Sequence, residues 1–402
     1  MDEIILSVLN IAIPQAVDMT LYRCSLVGAL SLMLFFSITL IFRPIPQGEE
    51  YRSYGDSRRR LGLALLVLSA NYAVHLFVAP RFTEIHWTIL MNINTYYIAA
   101  WLFGSSMINL LSHGFNTLKR DTLNVGSWLL FCAATITLMT VITDKMGRTV
   151  LLLVSSLLFM LYTLRLALRL LASYRRAVLL LDSYYSDDVA AYVRWMSVFT
   201  YLAVFYGIGQ GVFTFIPDRY VFIWILSSIP FYSYGYLSYI NYFLGVKKVD
   251  EGLTSAELPD VIPTPNISQA DEDGREMRGN DTATEASSED SLVGERLEQW
   301  IARRAFAQQG LTIVQLAQDI CTNRTYLSSY INTHYQATFR EWINSLRVDY
   351  AKQLLSCDSN ATIGDVAQRV GYVSLSSFIR AFTASEGISP GRWRKDHTDA
   401  EI

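Results

Sequence analysis

Long apolar runs separated by short polar breaks occupy the first 245 residues of the chain. About 20 mostly apolar residues in a helix are needed to cross roughly 30 Å of hydrocarbon. Seven stretches meet that length, at about 24–42, 61–79, 87–111, 123–143, 149–171, 193–216 and 220–243. Charges and turn formers close them, among them Arg43-Pro44, Pro80-Arg81 and Pro217-Asp218-Arg219. Residues 1–248 are therefore expected to form a polytopic transmembrane domain, a seven-helix bundle. The shorter run Ile4–Ile13 follows Met1-Asp2-Glu3 with no basic residue before it. It reads as a retained interfacial helix ending near Pro14, because a cleaved leader carries a positive n-region.

The pattern changes twice after that. Residues 249–291 are rich in Asp, Glu, Ser, Thr and Pro and nearly lack aromatic side chains. Such a segment buries too little apolar surface to offset ordering, so a disordered linker is expected, with a reach on the order of 35–40 Å. From about Leu292 a 3.6-residue apolar periodicity begins. Capping boxes at Thr312-x-x-Gln315, Thr338-x-x-Glu341 and Thr362-x-x-Asp365 mark helix starts, and Ser374 and Ser389-Pro390 supply two more. They predict helices over about 292–309, 313–320, 324–335, 339–356, 363–370, 375–385 and from Pro390.

Two of these pairs have helix-turn-helix proportions: 313–320 with 324–335, and 363–370 with 375–385. Ala317 and Ala367 sit where the paired helices must cross closely, and Gly371 permits a sharp turn. Leu316, Ile320, Leu327, Ile331, Val366, Val370, Phe378 and Phe382 should face inward. A major groove would meet the first exposed residues of each second helix: Arg324, Thr325, Ser328 and Ser329, then Leu375, Ser376, Ile379 and Arg380. Arg380 is the strongest candidate, since its fork suits guanine edges and phosphates alike.

Charge sharpens this partition. The chain is 51% hydrophobic and 17% charged, against about a quarter charged in soluble proteins. Lys and Arg outnumber Asp and Glu by 19 to 13 over 1–248 and by 12 to 9 over 295–397, but number only 2 against 12 over 249–294. The near-neutral total thus hides a basic C-terminal domain, in which Arg304, Arg340, Arg347, Arg369, Arg392, Arg394 and Lys395 are further phosphate candidates. Arg347 has the alternative of pairing inside the domain. With seven spans, one side's loops and the C-terminal flank hold eleven basic residues, including Arg58, Arg59, Arg60, Arg175 and Arg176, against five on the other. The bias predicts an external N-terminus and a cytoplasmic C-terminus.

Chemistry is sparse. Cys24, Cys132, Cys321 and Cys357 make no CxxC pair and no metal-ligand spacing with the five histidines, so neither a metal nor a cofactor is expected. Polar residues within the apolar runs include Asn71, Asn92, Asn94 and Asn109, which suit hydrogen bonds between helices. His75, Gln210, Tyr232, Tyr236 and Tyr239 form a candidate signalling seam or ligand pocket. No acidic pair or nucleophile constellation argues for catalysis.

The stretch Leu311–Trp393 resembles the DNA-binding domain of AraC/XylS transcription regulators. The likeness rests on Leu316-Ala317, Asn323 and Tyr326-Leu327; on Phe339, Ile343, Arg347, Ala351, Leu354 and Leu355; and on Ile363, Val366-Ala367, Gly371-Tyr372, Ser374, Ser377-Phe378, Arg380, Phe382, Gly387, Ser389-Pro390 and Trp393. Cys321, Asn323 and Gln336-Ala337 depart from the usual pattern. The resemblance implies a seven-helix domain over 292–397 whose two helix-turn-helix units, joined by helix 339–356, enter successive major grooves. It implies promoter DNA as partner, RNA polymerase as the machinery acted on, and a homodimer in which the spans would have to pair.

Together these features point to an all-α regulator in the inner membrane of a bacterium, with lipid around its first half and no enzymatic activity. The alternative is a transporter or membrane enzyme whose C-terminal domain regulates it. A third variant keeps the regulator and releases it by proteolysis in the linker. Signal, operator and sense of regulation are not written in the sequence.

Overall fold

A computed structural model describes residues 15–78, 80, 83–112, 114–213, 220–257, 282–358 and 360–398. Among them helices are the only regular elements, with a single isolated β-bridge between Tyr185 and Thr312. It divides into two units, Met1–Ala177 with Tyr192–Asp250, and Val178–Ala191 with Glu251–Ile402.

Seven long helices follow the seven apolar stretches: α1 Gln15–Phe42, α2 Arg52–Phe77, α3 Ile85–Leu111, α4 Leu118–Val141, α5 Lys145–Tyr184, α6 Trp195–Phe213 and α7 Val221–Tyr242. Five described stretches are long and apolar enough to cross a membrane: Thr20–Phe42, Glu49–Phe77, Leu118–Val141, Lys145–Tyr184 and Val189–Gly209. The expected count of seven spans therefore rests on α3 and α7 as well, which fall outside that set of five. The expected interfacial helix at Ile4–Ile13 lies outside the described residues.

Inside the first unit, α1 buries Tyr22, Leu26, Ala29, Met33, Phe36 and Leu40, a stripe at helical spacing. Close approach with α2 needs Gly62, where a Cβ would meet Ile41 at 2.7 Å. Ser37 Oγ donates to the Gly62 carbonyl at 2.8 Å. Polar side chains couple α2 to α3: Ser106 donates to the Ser57 carbonyl at 2.7 Å, and Asn71 to Asn92 at 3.0 Å. Bonds of this kind hold helices together where apolar burial gives no preference over lipid. On α4 and α5, by contrast, Leu129, Leu130, Val141, Leu157, Leu161 and Leu168 are exposed. An apolar surface of that kind is what a lipid-facing helix presents.

Helices reach into the expected linker from both sides. Val246–Glu257 (α8) and Thr282–Ala302 (α9) are helices, and 258–281 lie outside the described residues. In α8, Val246, Val249 and Leu253 fall on one face and are buried, so a locally acidic sequence still carries a packing stripe. In α9 the same holds for Val293, Leu297 and Trp300.

The remaining helices are α10 Ile313–Asp319, α11 Arg324–Tyr335, α12 Phe339–Cys357, α13 Ile363–Arg369, α14 Leu375–Glu386 and α15 Pro390–Thr398. All three capping boxes form reciprocally, at Thr312/Gln315, Thr338/Glu341 and Thr362/Asp365. Asn323 and Ser374 cap α11 and α14 by accepting from the backbone N–H groups of Tyr326 (2.7 Å) and Ser377 (3.2 Å). Phe378 and Phe382 are fully buried with Val366, Val370, Ala351 and Leu355 in one core beneath the second pair.

Candidate nucleic-acid interface

The two helix pairs repeat one geometry. In each, a residue at positive φ turns the chain, Cys321 (54°) or Gly371 (97°). The next N–H returns to the helix-crossing alanine: Thr322 to Ala317 at 2.8 Å and Tyr372 to Ala367 at 2.9 Å. All eight residues expected to face inward are buried. What remains outward on α11 is Thr325 and Ser329, with Arg324 and Ser328 half-buried. On α14, Leu375, Ser376, Ile379 and Arg380 are all exposed. The eight candidate residues therefore sit at the N-terminal ends of the two second helices, where a major groove would be met.

Val373 was missed by sequence reasoning. It is 63% exposed beside Leu375 and Ile379, and the three make an apolar tip on the second unit. Its signal was available: an aliphatic residue in a turn, one place before the Ser374 cap. Apolar side chains in this position suit thymine methyl groups.

The other basic residues divide by environment. Arg304 lies over the Tyr350 ring at 4.3 Å, Arg369 pairs with Asp358 at 3.1 Å, and Arg392 with Asp396 at 3.8 Å. Arg347 is not a phosphate contact. It is fully buried and donates to the carbonyls of Phe306 (2.9 Å) and Gln308 (2.7 Å). Burial pulls its pKa below the ordinary arginine value, with Asp187 and Tyr372 opposing that pull. Tyr372, beneath it, is pushed up to about 12 by desolvation.

Acidic residues from the segment 178–191 face this domain, and no local pattern in the sequence announced them. Asp182 accepts from Arg340 at 3.0 Å, and Asp188 stands 3.3 Å from Arg340 and 3.5 Å from Arg380. Arg324 donates to the Ser255 carbonyl.

The described residues of the candidate seam in the first unit meet different neighbours. His75 Nε2 is 2.9 Å from Asn92 Oδ1 and its Nδ1 is 3.3 Å from the Tyr22 hydroxyl. Tyr236 stacks on Phe36 at 4.1 Å, and Tyr239 is fully buried with its hydroxyl on the Tyr54 carbonyl at 3.1 Å. Tyr232 instead lines a cavity of about 140 Å³ with Tyr72, Tyr96, Phe103, Tyr206 and Trp224. The side chain of Gln210 lies outside the described residues.

Residues 316–396 match the helix-turn-helix domain family. The C-terminal domain is an AraC-type helix-turn-helix domain. Over 86 residues it is 35% identical to the raffinose operon transcriptional regulatory protein of Pediococcus pentosaceus, covering 21% of this chain and 31% of that protein. Over 87 residues it is 32% identical to the melibiose operon regulatory protein of Escherichia coli K12, covering 22% and 28%. An uncharacterized HTH-type transcriptional regulator of Bacillus subtilis, YtdP, is 33% identical over 85 residues, covering 21% and 11%. The chain thus spans between about a tenth and a third of the length of these relatives. No solved structure gives a significant match.

Proposed function

We propose that this chain is a membrane-integral transcription regulator of bacteria. Its AraC-type domain reads double-stranded promoter DNA through α11 and α14 and thereby recruits or blocks RNA polymerase. Residues 1–248 lie in the cytoplasmic membrane as seven spans, with the N-terminus outside and the C-terminal domain in the cytoplasm. The observation that carries this reading is the duplicated, fully capped helix-turn-helix, with its outward residues at two helix N-termini, on a chain with five helices fit to span a bilayer. The eleven-to-five distribution of basic residues supports the orientation, which puts the reader on the side of the nucleoid.

The membrane domain senses the signal. Its aromatic cavity around Tyr72, Phe103 and Tyr232 suits a compact, mostly apolar molecule, since an engineered cavity of about 150 Å³ holds benzene. The spans provide the surface for a homodimer.

Chromatin immunoprecipitation of the full-length protein tests the reading, together with a reporter enzyme fused after Ile402. Discrete enriched promoters and a reporter active only in the cytoplasm are expected. Absence of enrichment, or a reporter active only outside, rejects it.

A further inference from the structure

The contacts that hold the candidate DNA face belong to one short segment. Residues 178–191 contain Asp182, Asp187 and Asp188 and no lysine or arginine. Each aspartate stands within ion-pair distance of an arginine of the helix-turn-helix domain: Asp182 on Arg340, Asp188 on Arg340 and Arg380, and Asp187 on Arg347 at 3.6 Å. The backbone takes part too. The Ser186 N–H donates to the Leu311 carbonyl at 3.0 Å, and Tyr185 bridges antiparallel to Thr312 at the N-cap of α10. Leu180, Ser183 and Tyr184 line a cleft whose far wall is Arg324, Thr325, Ser328 and Ser329 of α11.

We propose that segment 178–191 is an acidic gate that occupies the DNA-contact face of the helix-turn-helix domain and holds it closed. The inference rests on the DNA-binding reading above and adds the regulation of that site.

Three physical points carry it. First, both reading helices are engaged at once: the first by apolar and hydroxyl side chains across a cleft, the second through Arg380. A helix enters a major groove about 12 Å wide only if the surface flanking it is clear. Second, the charge is of the kind the site exists to meet. Carboxylates on Arg340 and Arg380 stand where phosphate oxygens would be held, so gate and DNA compete for the same guanidinium groups. Third, the gate is packed rather than laid loosely on the surface. Leu181, Tyr184, Tyr185, Ser186, Val189 and Ala190 are all buried, and the Asp188 side chain is only 9% exposed. An exposed ion pair contributes little, but a nearly buried carboxylate shared by two arginines is a defined contact. The segment comprises the last turns of α5 and the residues that follow it toward α6 in the chain.

The test uses the full-length protein in lipid nanodiscs and duplex DNA selected by that protein from a random-sequence pool. Asp182→Asn with Asp188→Asn should raise affinity for the selected duplex at least tenfold. The control Glu298→Gln with Asp349→Asn removes two exposed carboxylates elsewhere in the domain and should stay within twofold. Without DNA, a cysteine at Ser328→Cys should be alkylated several-fold faster in the gate variant than in the otherwise wild-type chain, read site by site by mass spectrometry. An unchanged alkylation rate overturns the gate, as does an affinity gain equal in control and gate variants. Faster alkylation with unchanged affinity overturns it too, leaving the DNA-binding reading intact. Failure of every variant to select any duplex rejects the DNA-binding reading itself, and the gate with it.

Discussion

Cys321 and Gly371 are the same turn residue in two copies of one motif. Both have left-handed backbone, at φ 54° and 97°, and both precede an N–H that returns to an alanine carbonyl. Their surroundings differ. A Cβ on Gly371 would lie 2.4 Å from the Ala307 carbonyl oxygen, a backbone atom that cannot swing away. Gly371→Ala should therefore destabilise the domain by roughly 2–4 kcal/mol, combining left-handed strain with overpacking. Cys321 already carries a side chain there and is exposed. Cys321→Gly should change stability by less than about 1 kcal/mol, because relief of left-handed strain is offset by greater freedom of the unfolded chain. Denaturant titration of the two variants checks both, and a larger loss for Cys321→Gly refutes the account.

Arg347 gives the second prediction. Its guanidinium is fully buried, ties α12 to two carbonyls of the segment after α9, and lies over the Tyr372 ring at 5.3 Å. Arg347→Ala leaves those carbonyls and Asp187 without their buried partner, and a loss of about 3–5 kcal/mol is expected. Thermal unfolding measures it. A loss below about 1 kcal/mol would mean that the arginine is dispensable to the fold and available to DNA after all.

The N-cap of α13 predicts a pH dependence. Asp365 is held below the ordinary carboxylate range by bonds from the Thr362 hydroxyl and backbone N–H, at 2.7 and 3.0 Å, with Arg369 adding to the effect. A depressed folded-state pKa contributes stability that is present above the unfolded value of about 3.9 and is lost as pH falls through the folded one. Asp365→Asn should therefore flatten the fall in stability below about pH 4. Thr362→Ala should cost about 1 kcal/mol at neutral pH through the lost cap and flatten the same region. An acid limb with unchanged slope in both variants rules the coupling out.

The C-terminal domain was legible because its signals are local. Thr312, Thr338 and Thr362 each place a helix start within four residues, and the four-residue spacing of Val366 with Val370 and of Phe378 with Phe382 marks the core without reference to anything distant. The gate was illegible for the opposite reason: Asp182 and Arg340 are 158 residues apart, and three aspartates at the end of an apolar run look like a solvated helix end. Averaging composition over 249–291 hid Val249 and Leu253, which carry the buried face begun by Val246 into that segment. Along the tyrosine stripe of α7, positions four and three apart meet different neighbours. Phe36 takes Tyr236, Tyr54 takes Tyr239, and only Tyr232 reaches the cavity.

Arg380 brings the reading helix and the gate onto one side chain. It is exposed over 55% of its side chain while standing 3.5 Å from Asp188. Arg380→Ala should weaken specific DNA binding by roughly 1–3 kcal/mol. The size of the loss depends on the gate, because in the full chain the same substitution also loosens the closed state. The loss should accordingly be larger in the Asp182→Asn, Asp188→Asn background than in the otherwise wild-type chain, a non-additivity that a double-mutant cycle reads directly. The target of Arg380 follows from a second measurement. A contact to a base relaxes preference at one operator position, whereas a contact to phosphate lowers the salt slope by about one and weakens all sequences alike. Substituting Val373, Leu375 or Ile379 by serine should instead weaken binding chiefly to sequences with thymine at the contacted step, through the lost methyl contact. Equal weakening on every duplex would remove the apolar tip from base reading and leave Arg380 as the second unit's main contact.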